Sequence, residues 1–287
     1  MTTPGSPRSR PAARSAANRR MGQVLKVGLI GLGAVAAPLV RQYLAGGFPR
    51  NVVFVGALVR TPRPDAGLPT VTTAAALLAL EPDYIVEGAG HGAVQTHVEP
   101  LLRAGKEVAV TSIGALIDDG LRARLLDAAT AGGGKLILPS AGIGGLDMLA
   151  AMAEGGVDSA VVTVRKPPAA WLGTPGEKLV DLMALRAPAV LFDGTVREGA
   201  PHYPGNVNIS AAAAFAGAGL DKTRLVIIAD PTIVNHVIDL EATGAAGRLA
   251  FHEDMIPSPA NPKTGVIVAM ALAKTIRQRA GSFVVGA

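Results

Sequence analysis

The sequence predicts an α/β protein in which an N-terminal doubly wound parallel sheet is followed by a C-terminal α+β domain. In the first half, short apolar runs alternate with helical patterns, as is typical of βαβ units. A glycine-containing turn joins the first apolar run directly to the first helical pattern. After Pro139 the strand patterns lengthen and alternate apolar with polar residues, which indicates a sheet with one exposed face.

The elements of the first domain, predicted over residues 25–139, follow each other with short connections. Its strands are predicted at Leu25–Ile30, Val52–Val59, Asp83–Glu87, Val108–Thr111 and Lys135–Leu138. Its helices are predicted from the glycine turn to Leu44, and at Ala74–Leu80, Val94–Ala104 and Leu121–Ala131. Strands this short and apolar are typical of a parallel sheet covered by helices on both faces.

The second domain is predicted over residues 140–261 and begins with a glycine-rich turn before a helix near Leu146. Its strands are predicted at Val157–Arg165, Val190–Phe192, Arg224–Ala229, Ile233–Glu241 and Arg248–His252. Its helices are predicted at Glu177–Leu185 and Val207–Ala216. A last apolar helix, predicted within residues 262–280, is expected to pack back on the first domain and complete it.

The composition limits the classes of protein. The chain has 287 residues, of which 49% are hydrophobic, so two modest domains with sizeable cores are available. It has no cysteine, which excludes disulfides, thiolate metal sites and cysteine nucleophiles. The five histidines are scattered without metal-ligand spacing, so we expect no metal site.

The positive charge is confined to the N-terminus. Residues 1–20 contain five arginines and no acid, and without them the 27 basic residues fall to 22, equal to the 22 acidic ones. We therefore expect residues 1–24 to form a disordered basic tail. A solvated extension, or translation from a start upstream of Met21, is favoured over an organellar transit peptide, which such a segment can resemble. A neutral folded body without a long apolar run predicts neither nucleic-acid binding nor membrane insertion, and we expect a cytoplasmic protein.

The turn after the first strand has the pattern expected of a dinucleotide-binding Rossmann domain. Gly31 and Gly33 provide the tight turn and the close approach of the backbone to a pyrophosphate. Ala34 and Val35 follow at the helix start, and the small Ala36 permits close packing of helix on strand. Because a strand precedes the turn and a helix follows it, NAD or NADP binding is favoured over a simple small-residue turn.

The second strand bears on the choice between these cofactors. An acid at its end would hold the ribose 2′-hydroxyl of NAD, but the strand ends in Arg60 and Arg63 without an acid. Arginines suit the 2′-phosphate of NADP, and equally they could be solvated loop residues.

Two further groups of residues are candidates for ligand contacts. Ala89, Gly90 and His91 follow the Asp83–Glu87 strand, where small residues leave room for a nicotinamide ring beside the histidine. Arg165 and Lys166 end a strand of the second domain and suit a carboxylate, with surface solvation as the alternative.

Lys263 is a third cationic candidate. It lies in the segment Asn-Pro-Lys-Thr at residues 261–264, which is predicted to begin the last helix. A cation at a helix N-terminus is a candidate anion site, with an ordinary helix cap as the alternative.

Several long motifs closely resemble L-aspartate dehydrogenases, in order from about Leu25 to the last helix. These motifs are VEGAGH (86–91), KEVAVTSIGAL (106–116), RKPPAAWLGTPGE (165–177), YPGNVNISA (203–211), LDKTRLVIIADP (220–231) and NPKT (261–264). The resemblance implies an N-terminal Rossmann domain and a C-terminal domain that also forms a homodimer. It implies reversible NAD(P)-dependent oxidation of L-aspartate through iminosuccinate to oxaloacetate and ammonia, a reaction of NAD biosynthesis and aspartate metabolism.

The resemblance also assigns individual residues. It implies that Asn208 binds the cofactor, and that Gly142 does so where relatives usually have alanine. The catalytic histidine of the family falls on Ile238 when counted from Ala-Asp-Pro (229–231) or from Gly244, whereas His236 occupies the position of an asparagine.

Three accounts of this displacement remain open. The chain is an active aspartate dehydrogenase with a relocated base, either His236, which shares a strand face with position 238, or His91. Alternatively, it acts on another amino or imino acid. The third account is an NAD(P)-binding protein that has lost catalysis. We favour an NAD(P)-dependent amino-acid dehydrogenase with a small dicarboxylic amino acid as substrate and His236 as the candidate base.

Overall fold

The computed structural model describes residues 23–203 and 207–286. Of the tail predicted over residues 1–24, only Gln23 and Val24 lie within the described residues. No helix in the described part of the chain is long and apolar enough to cross a membrane.

The first half forms a six-stranded, entirely parallel sheet. In chain order its strands are β1 (Leu25–Ile30), β2 (Val52–Leu58), β3 (Thr70–Val71), β4 (Tyr84–Glu87), β5 (Glu107–Val110) and β6 (Lys135–Ile137). In space they are ordered β3-β2-β1-β4-β5-β6, so the order reverses between β1 and β4. This is the strand order of a dinucleotide-binding Rossmann sheet, which confirms the predicted fold class.

Helices cover this sheet on both faces. They are α1 (Ala36–Leu44), α2 (Ala74–Ala79), α3 (His91–Ala93), α4 (Glu99–Arg103) and α5 (Asp119–Gly132), and a π-helical segment, Val94–Val98, joins α3 to α4. One apolar core includes side chains of β1, β2 and α1, and a second includes side chains of β5, α4 and α5. Every residue of β4 and β5 is buried, because helices pack on both faces of the sheet.

The second half is built on a mixed five-stranded sheet. Its strands are β7 (Val157–Lys166), β8 (Ala189–Thr195), β9 (Thr223–Ala229), β10 (His236–Gly244) and β11 (Gly247–Met255), in the spatial order β11-β10-β7-β9-β8. The helices of this half are α6 (Leu146–Glu154), α7 (Val196–Gly199) and α8 (Asn208–Ala216). Helices α6 and α8 share the core of β7, β9 and β10, whereas the opposite face of the sheet keeps partly exposed side chains.

Two predicted elements are wrong. Residues Glu177–Leu185 form two separate 3₁₀ turns, Pro175–Lys178 and Leu182–Ala184, and not one helix. The Asp181 side chain accepts hydrogen bonds from the amides of Met183 and Ala184, and this local turn replaces the helical hydrogen bonds.

The segment predicted to begin the last helix is instead a strand. Asn261–Gly265 forms β13, which pairs antiparallel with β12 (Pro257–Ser258), and α9 begins only at Ile267 and ends at Ala280. The Asn261 side chain accepts a hydrogen bond from the Lys263 amide, so this amide has a partner outside a helix. Helix α9 packs against β1, β2 and α1, so the chain returns to the first sheet.

Candidate functional site

A cavity of 470 Å³ lies between the first sheet and the second domain. One wall comes from the turns after β1, β4 and β5, and the opposite wall comes from the end of β7, the start of β10 and the β12–β13 hairpin. Most of the predicted site residues line it: Ala34, Val35, Ala89, Gly90, His91, Gly142, Lys166, Asn208, His236 and Lys263. The cavity lies at the carboxyl ends of the parallel strands, where open α/β sheets bind ligands.

The glycine turn fits a dinucleotide. Gly31 has φ of +90°, and a Cβ added there would lie 2.7 Å from the Cβ of Ala89, so a side chain is excluded at this position. A Cβ at Gly33 would meet no atom within 4 Å, so its backbone faces open space in front of α1. Gly33 lines an adjoining cavity that shares Ala34 and Val35 with the first. An extended ligand with a pyrophosphate therefore fits along this turn.

His91 and Asn208 form a contact between the two halves of the chain. The Oδ1 atom of Asn208 accepts a hydrogen bond from the Gly114 amide at 2.8 Å and lies 3.0 Å from Nε2 of His91. Because Oδ1 has no proton, His91 donates the hydrogen bond from Nε2. A side chain of α8 thus fixes the predicted nicotinamide-contacting residues of the first domain.

Glu87 is a buried residue that connects parts of this wall through hydrogen bonds, and it was not among the site residues predicted from the sequence. Its side chain is inaccessible to solvent, and its carboxylate accepts hydrogen bonds from the amides of Ala89, Gly90 and Ser112 and from the Ser112 hydroxyl, at 2.7–3.0 Å. These four bonds tie the turn after β4 to the end of β5. The available signal was an acid within an otherwise apolar strand, since a buried carboxylate requires donors.

Lys166 is a buried cation in the opposite wall. Lys166 is 2% exposed, and its ammonium nitrogen lies 5.6 Å from the ring centroid of Trp171 and 3.4 Å from the Lys263 carbonyl oxygen. Trp171 is itself held by hydrogen bonds from its indole N–H to the carbonyls of Lys166 and Ile228. Burial, together with the charge of Lys263, lowers the pKa of Lys166 to about 8.

His236 faces the same cavity. It is 3% exposed, and burial lowers its pKa to about 4, with a further lowering from the Lys166 charge and an opposing hydrogen bond to Pro262. Proline has no N–H, so the imidazole donates to the Pro262 carbonyl. His236 is therefore a neutral imidazole at neutral pH.

Ile238 lies on the same strand face but away from the cavity. It is inaccessible to solvent and belongs to the core of the second domain, opposite Val164 of β7 and Glu253 of β11. The two positions thus have different surroundings: residue 236 lines the cavity, and residue 238 belongs to the apolar core, with Glu253 opposite it on β11.

Two of the predicted cationic contacts lie elsewhere. Arg165 does not line the cavity. Adjacent strand residues point to opposite faces of the sheet, and the Lys166 side chain points to the face that lines the cavity. Arg165 instead pairs with Asp239 at 2.8 Å on the outer face. The expectation that both cations serve one pocket is not met for Arg165.

Arg60 is exposed beyond the end of β2 and does not line the cavity either. Its neighbour Arg63 donates a hydrogen bond at 3.2 Å to the carbonyl of Leu32 in the glycine turn. Positive charge therefore lies beside the turn, where the adenosine ribose of a dinucleotide is expected.

Lys263 reaches the cavity from β13, so its role does not depend on a helix N-terminus. Within residues 23–203 and 207–286, no group of three or more histidines and acids is arranged to hold a metal ion.

Comparison with known families agrees with both halves of this architecture. Residues 31–139 match the family model described as homoserine dehydrogenase, NAD binding domain, and residues 147–279 match the one described as aspartate dehydrogenase, C-terminal. L-aspartate dehydrogenase of Ruegeria pomeroyi is 43% identical over 262 residues, which cover 90% of this chain and 94% of the relative. The Polaromonas enzyme of the same name is 36% identical over 271 residues, with 91% and 100% covered.

Solved structures support the fold. The crystal structure of aspartate dehydrogenase from Thermotoga maritima superposes with a TM-score of 0.73 at 21% identity, covering 91% of this chain and 99% of that one. A hyperthermophilic archaeal homoserine dehydrogenase in complex with NADPH gives 0.59 at 10% identity, covering 91% and 99%. On the strength of the full-length sequence match and the two family models, this chain belongs to the L-aspartate dehydrogenase family of NAD(P)-dependent oxidoreductases.

Proposed function

We propose that the chain catalyses the reversible NAD(P)-dependent oxidation of L-aspartate through iminosuccinate to oxaloacetate and ammonia. The observation that carries this proposal is the buried Lys166, which lines the same 470 Å³ cavity as the glycine-rich turn after β4. An amino acid with two carboxylates would meet positively charged side chains in this cavity, beside the dinucleotide. Family membership supports aspartate as the substrate.

The residues of the cavity would bind and orient the two ligands. Gly31 and Gly33 would admit the pyrophosphate, and Asn208, with His91, would hold the wall against the nicotinamide. When bound, the nicotinamide supplies the hydride acceptor for Cα of the substrate. Lys263 would attract a substrate carboxylate, and Lys166 would lie beside the substrate in the same cavity. His236, the candidate base of the sequence analysis, faces the same space, and its proton-transfer role stays a prediction.

We also propose that the protein is a cytoplasmic homodimer that acts in NAD biosynthesis. In this proposal, residues 25–139 together with α9 form the cofactor domain, and residues 140–261 form the substrate domain. The outer face of the second sheet supports dimerisation, because Val161, Val226 and Ile228 are only partly covered and exposed Val190 adjoins them. Light scattering of the purified protein measures the oligomeric state, and a monomer would contradict this proposal.

The activity is tested by a reductive-amination screen. Oxaloacetate and other keto acids are supplied with ammonia and either NADH or NADPH, and the loss of absorbance of the reduced cofactor is followed. We expect turnover with oxaloacetate. Turnover of another keto acid but not of oxaloacetate would indicate a different amino-acid substrate. Cofactor binding without any turnover would contradict dehydrogenase activity.

A further inference from the structure

We propose that Lys166 is the proton-transfer group of the reaction, with its neutral amine taking a proton from the substrate ammonium. The inference rests on the proposed function and names a residue of that same site. Lys166 is the last residue of β7, and its side chain is almost completely buried yet lines the cavity. Gly90 and His91 line the same cavity and belong to the wall against which a nicotinamide would stack.

The surroundings of Lys166 hold its amine in one place. The Trp171 ring lies under the amine, and the Lys166 carbonyl accepts hydrogen bonds from the Trp171 indole and from the Asp230 amide. A flexible lysine becomes a positioned group when both its stem and its backbone are fixed in this way. A substrate bound between the two walls would therefore meet the amine from one direction.

Burial and the charge of Lys263 favour the neutral form of Lys166. Lys263 faces it from β13, and His236 faces it from β10 as a neutral imidazole. From the end of β9, the carboxylate of Asp230 accepts hydrogen bonds from the amide and hydroxyl of Thr232. Burial and the like charge of Lys263 both lower the pKa of Lys166 to about 8, so a neutral amine becomes available close to neutral pH.

His236 is the weaker acceptor for the same proton. Its pKa of about 4 lies roughly four pH units below that of Lys166, so proton transfer to its imidazole is about 10⁴-fold less favourable than transfer to Lys166. An efficient base has a pKa close to the working pH. The structure thus makes His236 a neutral hydrogen-bonding neighbour of the substrate.

The step involves one proton. The N–H bond of the substrate ammonium breaks, an N–H bond forms on Nζ of Lys166, and the freed electron pair stays on the substrate nitrogen. The products are a neutral substrate amine and a protonated Lys166, so charge is conserved and nothing is oxidised. Only the neutral amine has the electron pair that assists loss of hydride from Cα, so this step must precede oxidation.

The test compares Lys166→Arg, Lys166→Met and His236→Gln with wild type in aspartate oxidation between pH 6 and pH 10.5. Lys222→Arg is the matched control, because Lys222 is exposed on the second domain. In wild type we expect kcat to rise tenfold per pH unit up to about pH 8 and then level off, since only the neutral Lys166 accepts the proton. Lys166→Arg keeps the positive charge but cannot lose it, so we expect kcat to fall by at least ~100-fold while the KM for aspartate changes by less than ~5-fold.

Binding of NADPH, followed by its fluorescence, and the thermal midpoint verify that each variant is folded. A second readout needs no turnover: limiting acetic anhydride labels neutral amines, and peptide mass spectrometry should give a midpoint near pH 8 for Lys166. The inference is overturned if Lys166→Arg keeps kcat within 3-fold of wild type, if His236→Gln abolishes the pH dependence, or if Lys166 is labelled with the midpoint of an exposed lysine. Wild type without turnover of aspartate or oxaloacetate would refute the proposed function, and with it the reaction to which this step belongs.

Discussion

Replacing Lys166 by methionine should stabilise the protein at neutral pH, although it removes a residue of the site. The folded-state pKa of Lys166 is about 8, against an ordinary value of 10.5. Between these values the unfolded chain binds more protons than the folded chain, so the free energy of unfolding rises with pH. Below pH 8 the buried charge costs its full amount, about 3 kcal/mol for a shift of this size at ~1.4 kcal/mol per unit.

Methionine has a similar length and no charge, so it removes this cost. Lys166→Met should therefore exceed wild type in stability by up to about 3 kcal/mol at pH 7, and the advantage should disappear by about pH 10.5. Urea unfolding followed by tryptophan fluorescence at pH 7, 8, 9 and 10.5 measures both curves. Lys222→Met serves as control, because an exposed lysine carries no such penalty. A variant that is less stable than wild type at pH 7, or a difference that does not change with pH, would refute the reasoning.

Three further changes test the surroundings of the cavity. Glu87→Gln should lower the free energy of unfolding by about 2 kcal/mol and weaken NADPH binding, because an amide replaces one of the oxygens that accept four hydrogen bonds; isothermal titration measures the binding, and unchanged affinity would contradict the role given to Glu87. Arg63→Ser should weaken binding of NADPH about 10-fold more than that of NADH, since the arginine lies beside the glycine turn, whereas Arg63→Lys should leave the ratio of the two affinities nearly unchanged. Ile238→His should lower the free energy of unfolding by about 3 kcal/mol, against about 1 kcal/mol for Ile238→Val, because an imidazole would replace a fully buried apolar side chain; a gain in kcat without loss of stability would show that position 238 reaches the substrate.

Much of the first domain was predictable because each signal is local. A strand, a glycine turn and a helix are adjacent in the chain, and the structure places Gly31 and Gly33 as the pattern indicated. Ala89, Gly90 and His91 were predicted by the same logic, because they follow a strand of the parallel sheet, and all three line the cavity. Glu87 was missed because its role depends on donors from a second strand, which sequence patterns do not bring together.

The second domain was harder to predict because its site depends on orientation. Arg165 and Lys166 are adjacent in sequence, and only the register of β7 decides which of them faces the cavity. The segment 261–264 contains Asn and Pro, which suit a helix start and a tight turn equally, and pairing with β12 selects the strand. The difference between residues 236 and 238 also lies outside the sequence, because it depends on where the core ends and the cavity begins.

The two hydrogen bonds at Asn208 couple ligand binding to the arrangement of the domains. Their acceptor belongs to α8 of the second domain, whereas Gly114 and His91 belong to the first. Any rotation that separates the domains breaks both bonds and releases the wall expected to contact the nicotinamide. A dinucleotide that stabilises this wall therefore favours the arrangement in which both bonds are made and Lys166 lines the same cavity. By reciprocity, a substrate that favours this arrangement must tighten dinucleotide binding by the same factor.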